Sequence, residues 1–385
     1  MLLSYTLAVA VTEVININFA YANIHVTSIC NIISPILSLI SFMKWIEKPV
    51  NYLESGMKIM KNYSEVPSMI KFLKSPIGYS LAAILATFLW GSAFSAVKVG
   101  YKLANIQRAD IFMQLEFAGY RFVLASCIII ALCLFINRHL LLITRRQFVF
   151  IVKLGFVQTF LQYVFFYVGI SMSSGVTCSI IAGTLTFFQL GLAYFLYRDN
   201  EISIKKVIAA MVGFSGVVFY LAMDNNMKIT FGFGSTFMFA AMFFAAFGNV
   251  LYRKSLILDL NPLPLTALQM FLGGLGLMMI GGMKVGFVPF DMTSSLLLNL
   301  LYLSLVSAMS FLIWNSIMTY NNASKVSVYL FLIPIFGVIL SSIILGESLN
   351  WYIFPALMLV SISIVVTVKS KASMVKGAIL QTDIE

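Results

Sequence analysis

Long apolar stretches separated by short polar segments make up the chain from residue 76 onward. Each stretch is about 20 residues long, the length of helix that crosses ~30 Å of hydrocarbon. The apolar positions do not alternate as they do in a half-buried strand, and backbone groups in lipid must pair within helices or a closed barrel. The pattern therefore predicts ten membrane-spanning helices, over 78–98, 116–136, 149–170, 175–197, 204–222, 233–252, 264–283, 296–317, 326–345 and 350–368.

The composition agrees with lipid as the main solvent. Of 385 residues, 61% are hydrophobic and 10% are charged, and the mean hydropathy is +0.97. A soluble domain is closer to half apolar and a quarter charged. A water-soluble fold needs a polar exterior and cannot hide this much apolar surface. The predicted fold class is an all-α membrane protein, a bundle of ten transmembrane helices.

The net charge of +11 is distributed as in a membrane protein. Lys and Arg accumulate on the cytoplasmic side of membrane proteins. If the first predicted helix starts in the cytoplasm, most cations fall on the inner side, and the outer side receives only Lys98, Lys102, Arg108, Lys228 and Lys284. The pattern predicts a multi-pass plasma-membrane protein whose ten-helix unit has both ends in the cytoplasm. The basic side would contact anionic lipids, and a nucleic-acid partner is not expected.

The two ends of the chain differ from the rest. Residues 1–75 form an N-terminal extension whose stretch 26–43 is about long enough to cross a bilayer, although Pro35 interrupts it. It could be an extra membrane helix, an interfacial helix or the product of an early start codon. The first dozen residues lack the basic flank of a signal peptide. Residues 371–385 are expected to form a cytoplasmic tail.

The middle of the chain contains an internal repeat, with copies at 76–222 and 230–370. Three segment pairs align in the same order: 88–100 with 242–254, 120–129 with 268–277, and 174–201 with 324–347. Each half contains five predicted helices, an odd number, so the halves enter the membrane from opposite sides. Inverted repeats of this kind are common in secondary transporters, which bind substrate near the bilayer midplane between the halves.

Three segments resemble the EamA-type transporters of the drug/metabolite transporter superfamily. They are "LWGSAFSAVK" (89–98), "YRFVLAS" (120–126) and "PIFGVILSSIILGESL" (334–349). The resemblance covers about 76–370 and implies a central cavity formed by the first, third, fourth, sixth, eighth and ninth helices. It also implies transport, mostly export, of amino acids, nucleobases or other small metabolites. The first half has Thr184 where the second has Pro334, so cavity details do not transfer directly.

Polar side chains in membrane helices are costly and are therefore candidates for a substrate cavity, although they can equally bind helix to helix. The candidates are Ser92, Ser95, Gln158, Gln162, Tyr163, Thr186, Gln189, Asn249, Ser310, Trp314 and Asn315. This mixture of polar and aromatic groups suits neutral or zwitterionic solutes of aromatic size. On the first helix, Ser92 and Ser95 share a face and Trp90 lies about 160° from Ser92. The serine face is expected to line the path and Trp90 to face another surface.

Three ionisable residues allow alternative interpretations. Arg121 could contact an anionic group or form a gating pair with Glu116. A structural role, in which it reaches the headgroups or caps carbonyls of a neighbouring helix, is favoured. Glu347 is expected to cap the amide groups of the tenth helix. The first and sixth helices contain no Asp or Glu, which disfavours exchange of organic cations for protons. Proton coupling through Glu116 and facilitated diffusion both remain open.

Several kinds of chemistry lack support in the sequence. The four cysteines stand singly in apolar stretches, and only two histidines occur, so no metal site or catalytic residue is predicted. No GxxxxGK[ST] motif is present, and no cofactor is expected. The sequence predicts an exporter of a small metabolite, such as an amino acid, that works by alternating access. A membrane scaffold or an integral membrane enzyme is the alternative. A homodimer is left open.

Overall fold

The computed structural model describes residues 68–197, 204–224, 232–321, 326–359, 361–363 and 366. These residues form helices joined by turns and short 3₁₀ segments, and no strand occurs among them. Most of the N-terminal extension and all of the predicted tail, 371–385, lie outside the described residues. The extra helix in 26–43 therefore stays a prediction.

The described chain contains eleven helices. They are α1 (Ser68–Lys74), α2 (Pro76–Leu103), α3 (Ile111–Asn137), α4 (Arg145–Met172), α5 (Gly175–Leu196), α6 (Ile204–Asp224), α7 (Phe233–Tyr252), α8 (Pro262–Val285), α9 (Ser294–Tyr320), α10 (Leu332–Leu345) and α11 (Ile353–Ser363). One helix from α2 to α11 lies over each of the ten predicted spans. Seven of them, α2–α5 and α7–α9, are long and apolar enough to cross a membrane. Ten membrane crossings stay a prediction.

Polar side chains mark where several of these helices begin. Ser75 Oγ accepts a hydrogen bond from the Gly78 amide at the start of α2, at 3.0 Å. At the start of α4, Thr144 Oγ1 accepts from the Gln147 amide at 3.3 Å, and Gln147 Oε1 accepts from the Thr144 amide at 2.8 Å. The first amides of a helix have no partner within the helix. These caps satisfy some of them at the ends of the apolar spans.

One turn of α4 is π-helical, over Phe156–Leu161. A π turn is wider than an α turn and rotates the residues that follow it, and it occurs often at functional sites. Gln158 lies in this turn and Gln162 directly follows it. Gly248 of α7 makes room for the wider turn, because a Cβ at this position would lie 2.5 Å from Gln158 Cβ. The π turn thus brings the polar side chains of α4 close against α7.

Helices α3 and α8 pack with their backbones almost in contact. A Cβ built on Gly281 of α8 would lie 2.6 Å from the backbone nitrogen of Glu116 on α3. A real Cβ cannot approach a backbone atom this closely. The absence of a side chain at Gly281 therefore sets the distance between the two helices, as small residues do in other membrane bundles.

We expect Gly281→Ala to lower the melting temperature of the purified protein. The added methyl group would collide with backbone atoms of Glu116 that cannot rotate away, so α3 and α8 must separate, and overpacking of this kind costs about 1–3 kcal/mol. Gly191→Ala on α5 is the matched control, because it adds the same methyl group where nothing lies within 4 Å. Alanine favours helix over glycine, so the control should melt at the parent temperature or above it. Equal melting temperatures for both variants would contradict the close packing.

Candidate functional site

A cavity of about 50 Å³ lies between helices from both halves of the chain. Its lining comes from α2, α4, α5, α7 and α9, from Ile333 of α10, and from Arg121 of α3. Helices α2, α4, α5, α7, α9 and α10 are those that the family resemblance implies for the cavity. Helix α3 also contributes to the lining, through Arg121. A cavity of this size accommodates a few water molecules. A solute the size of an amino acid therefore requires the helices to move apart.

Aromatic rings form much of the wall. Trp90 and Phe311 meet edge to face with their ring centroids 5.5 Å apart, and Phe94 lies 5.5 Å from Phe166. Tyr163 lies 5.5 Å from Phe166 and 6.3 Å from Phe311. All five residues line the cavity. The rings pack against one another at favourable distances, so the wall offers a rigid apolar surface to a solute.

Arg121 supplies the cation of the lining. It is 1% exposed, and its Nε donates to Ser307 Oγ at 2.7 Å and to the Leu303 carbonyl at 3.3 Å, both on α9. Its Nη1 donates to the Tyr167 hydroxyl of α4 at 3.1 Å, while Nη2 has no hydrogen-bond partner. The hydrogen bond to the Leu303 carbonyl agrees with the structural role favoured from the sequence, in which Arg121 caps a carbonyl of a neighbouring helix. The position of Arg121 in the cavity wall agrees with the alternative role, contact with an anionic group.

Glu116 does not pair with Arg121. It is fully buried, and neither of its carboxylate oxygens is hydrogen-bonded to Arg121. It lies where α3 meets α8, beside Gly281, and it does not line the cavity. The gating pair that the sequence allowed is therefore not formed in this conformation.

Four buried side chains form a chain of hydrogen bonds beside the cavity, which we call the amide chain. Gln158 Nε2 of α4 donates to Asn249 Oδ1 of α7 at 2.7 Å, and Asn249 Nδ2 donates to Gln189 Oε1 of α5 at 2.8 Å. Gln189 Nε2 then donates to Ser327 Oγ at 2.7 Å. Ser327 starts a 3₁₀ turn directly before α10. Ser327 was not among the predicted cavity residues, although it is a polar residue near the start of the ninth predicted helix, 326–345.

Three of the predicted cavity residues, Gln162, Tyr163 and Asn249, belong to the lining. Gln158 and Gln189 reach it only through Asn249. The others lie outside the lining and are Ser92, Ser95, Thr186, Ser310, Trp314 and Asn315. Trp314 packs behind the wall, with its ring 5.3 Å from that of Trp90. Asn315 donates to Thr266 Oγ1 of α8 at 3.0 Å, a contact between helices.

Of the two faces of α2 compared in the sequence, the structure places the Trp90 face in the wall of this cavity. Trp90 lines the cavity. Ser92 Oγ accepts from the Tyr302 hydroxyl of α9 at 2.7 Å and donates to the Leu89 carbonyl, and Ser95 Oγ donates to the Ser92 carbonyl. The serine face does not line this cavity, and its place along a transport path stays a prediction. Serine can satisfy its hydroxyl on the preceding helical turn, so it does not require a polar cavity.

Glu347 caps a different helix from the one expected. Gly346 ends α10 in the left-handed conformation with φ of 66°, and Glu347 follows it. Its carboxylate oxygens accept from the amides of Gly175 at 2.9 Å and Val176 at 2.8 Å, in the first turn of α5. A carboxylate is favourable at a helix start. The prediction of a cap for the tenth helix was wrong, and Glu347 instead links the two halves.

The sequence of this chain matches a known family of membrane proteins. Residues 77–222 and 232–369, well over half of the chain, match the EamA-like transporter family. The chain belongs to this family. It is therefore a membrane transporter with a helical fold.

Relatives of this EamA-family chain include transporters from bacteria and archaea. The uncharacterized transporter YvbV of Bacillus subtilis is 30% identical over 49% of this chain and 63% of its own length. An uncharacterized transporter of Archaeoglobus fulgidus is 25% identical over 71% of this chain and 91% of its own. A probable amino-acid metabolite efflux pump of Salmonella typhimurium is 24% identical over 70% and 87%. One crystal structure has a TM-score of 0.59 at 13% identity and covers 78% of this chain and 99% of its own, a likeness of fold alone.

Proposed function

We propose that this EamA-family protein is a secondary transporter that exports a small metabolite across the plasma membrane by alternating access. The observation that carries the proposal is the central cavity, whose wall combines aromatic rings with the polar side chains of Arg121, Gln162 and Asn249. The two family matches, at 77–222 and 232–369, support two repeats that meet at the cavity. With five helices in each, the repeats would be inverted, as in other secondary transporters.

The substrate proposed is an amino acid or a similar neutral or zwitterionic solute. Aromatic rings bind apolar bodies, and the amides of Gln162 and Asn249 offer both donors and acceptors. No Asp or Glu side chain belongs to the described lining, so a strongly cationic solute would lack a counter-charge. The printed name of the Salmonella relative, a probable amino-acid metabolite efflux pump, agrees with this substrate class.

Two sets of polar contacts join helices around the cavity in the conformation described. Glu347 binds the start of α5 at one end of the bundle. The amide chain joins α4, α5 and α7 to the turn before α10. In the proposed cycle, the halves separate first at one end and then at the other, and the solute is exposed to each side in turn. Each opening then has to break polar contacts between helices.

Filling the cavity should stop transport. We expect Ala93→Phe to lower solute flux in proteoliposomes by at least about tenfold, because Ala93 lines the cavity and the larger side chain would occupy it. The assay measures release of labelled neutral amino acids from proteoliposomes of defined protein content. Leu81→Phe is the control, because this position is exposed on the same helix and the variant should transport as the parent does.

Two results would count against the proposed function. If the parent protein moved none of the amino acids or related metabolites in a broad panel, a scaffold or a membrane enzyme would be the better explanation. If Ala93→Phe stayed folded and kept full flux, a transporter would remain, but its path would not pass through this cavity.

A further inference from the structure

We propose that Arg121 is a carboxylate-binding subsite in this cavity, so that the exported metabolite carries a carboxylate group. The proposal rests on the proposed function and names the group that the site recognises. Arg121 is the cation of the described lining. Its side chain is 1% exposed, so bulk water has little access to its charge.

The hydrogen bonds of Arg121 leave part of its binding capacity unused. A guanidinium has five N–H donors in a planar fork. Nε and Nη1 donate to Ser307, the Leu303 carbonyl and Tyr167, and all three partners are neutral. Nη2 is buried without a hydrogen-bond partner. The cation is thus held firmly by two helices while one of its nitrogens remains available.

No described carboxylate bonds Arg121, whose guanidinium lies over the rings of Phe122 and Tyr163, at 5.1 and 5.8 Å from their centroids. Arginine stays charged in proteins, and burial of a charge without a counter-ion is unfavourable. The described cavity wall contributes no carboxylate, and the carboxylate of Glu116 on the same helix makes no hydrogen bond with Arg121. A negatively charged group on a bound solute would supply the missing charge. Hydrogen bonds between arginine and a carboxylate are among the strongest that proteins form.

The remaining lining favours a single carboxylate over a phosphate. No second Lys or Arg lines the cavity, so the site matches one negative charge and not the nearly two charges of a phosphate. Gln162 Oε1 is a buried acceptor without a partner and can accept from the ammonium of an amino acid. Trp90 and Phe311 would cover an apolar body. The expected ligands are compact carboxylates with an apolar or aromatic side chain.

Carboxylate binding at Arg121 would also affect contacts with helices of both halves. The same guanidinium donates to Tyr167 of α4, in the first family match, and to Ser307 of α9, in the second. A ligand that draws Nη2 towards itself acts on both contacts. The subsite therefore lies where solute binding can influence how the two halves pack.

Calorimetric titration of the detergent-purified full chain with matched acid and amide pairs tests this role. The pairs are phenylalanine and phenylalaninamide, leucine and leucinamide, and lactate and lactamide. We expect the parent protein to bind at least one acid about 10- to 100-fold more tightly than its amide, the effect of one or two charge-assisted hydrogen bonds. Arg121→Gln should weaken the acid to the level of its amide, and Arg121→Lys should retain part of the preference.

A control separates recognition from simple loss of helix packing. Asn315→Leu removes a buried hydrogen bond between α8 and α9 outside the lining, and this variant should keep the preference for acid over amide. Equal affinity of the parent for acid and amide in every pair, or failure to bind any acid of the panel, would overturn the proposal even if Arg121→Gln did not fold. Either result would leave the proposal of a transporter intact. That proposal is contradicted only if the separate flux assay detects no transport of any solute.

Discussion

Asn249→Leu is expected to lower flux per folded molecule by at least about tenfold. Asn249 is the central member of the amide chain and also part of the cavity wall. Leucine has the same branched shape and number of heavy atoms, although its methyl groups are larger, and it can neither donate nor accept a hydrogen bond. The substitution therefore leaves Gln158 Nε2 and Gln189 Oε1 buried without partners. Each unsatisfied group costs about 1–3 kcal/mol, and losses within one network are not independent.

The expected loss of flux is larger than the loss of stability would explain. The amide chain holds α4, α5 and α7 in register beside the aromatic wall. When the Asn249 amide is lost, Gln158 and Gln189 lose the partner that they share in the cavity wall and are free to turn towards it. Either amide turned into the cavity would change its shape and its hydrogen-bonding groups. The folded fraction of the variant should thus bind and move solute poorly.

Asn315→Leu provides the matched control for this prediction. It is the same chemical change at another buried asparagine, whose amide bonds Thr266 and does not line the cavity. Both variants should melt below the parent temperature, but Asn315→Leu should keep flux within about twofold. Thermal unfolding and initial rates in proteoliposomes, both normalised to folded protein, measure the two effects. Equal fractional losses of flux would mean that the amide chain only packs helices together.

The positions of the helices could be predicted from the sequence because lipid imposes a strong pattern. Backbone groups in a bilayer must bond within the helix, so each span is a long apolar run with polar ends, and one helix lies over each predicted span. The π turn at Phe156–Leu161 could not be predicted in this way. A local change from four-residue to five-residue hydrogen-bond spacing leaves the apolar composition of α4 unchanged.

The candidate site could be predicted only in part. Gln162, Tyr163 and Asn249 were found because polar and amphipathic groups stand out in apolar helices. Which face of α2 lines the cavity could not be decided, because both faces are buried against protein over much of the helix. A helical wheel separates Trp90 from Ser92 without indicating which of them faces the centre. Arg121 was ambiguous for a physical reason, since it makes structural hydrogen bonds and also lines the cavity.

The contact that Glu347 makes could not be predicted without the three-dimensional structure. Reasoning along the sequence assigns a carboxylate to the next helix start, here α11. The structure brings Gly175, more than 170 residues earlier, within 2.9 Å of the carboxylate instead. Around this contact, α5 and α10 pack very closely, because a Cβ on Gly337 would lie 2.4 Å from Ser179 Oγ. In the proposed transport cycle, separation of α5 and α10 at this end would have to break the Glu347 bonds.

Glu347→Ala is accordingly expected to raise the rate at which a thiol reagent modifies Cys178 by about tenfold or more. Cys178 is a free, fully buried cysteine on α5, close to the cap. A hydrogen bond to a charged group contributes about 1.5–3 kcal/mol, and a factor of ten in an equilibrium corresponds to 1.4 kcal/mol. Because Glu347 is partly exposed, solvent reduces the effect of its two bonds. The measurement uses purified protein in which every other cysteine is replaced by serine.

Two further variants identify the source of the effect. Glu347→Gln keeps one carbonyl acceptor for the amides of α5, so its modification rate should fall between those of the parent and of Glu347→Ala. Glu116→Gln changes a fully buried carboxylate elsewhere in the bundle, at the α3–α8 contact, and should leave the rate unchanged. A carboxylate that only caps α5 would lower the melting temperature on removal without exposing Cys178. A carboxylate that holds the cavity closed must do both, because the bonds that cap α5 also join the turn after α10 to the other half.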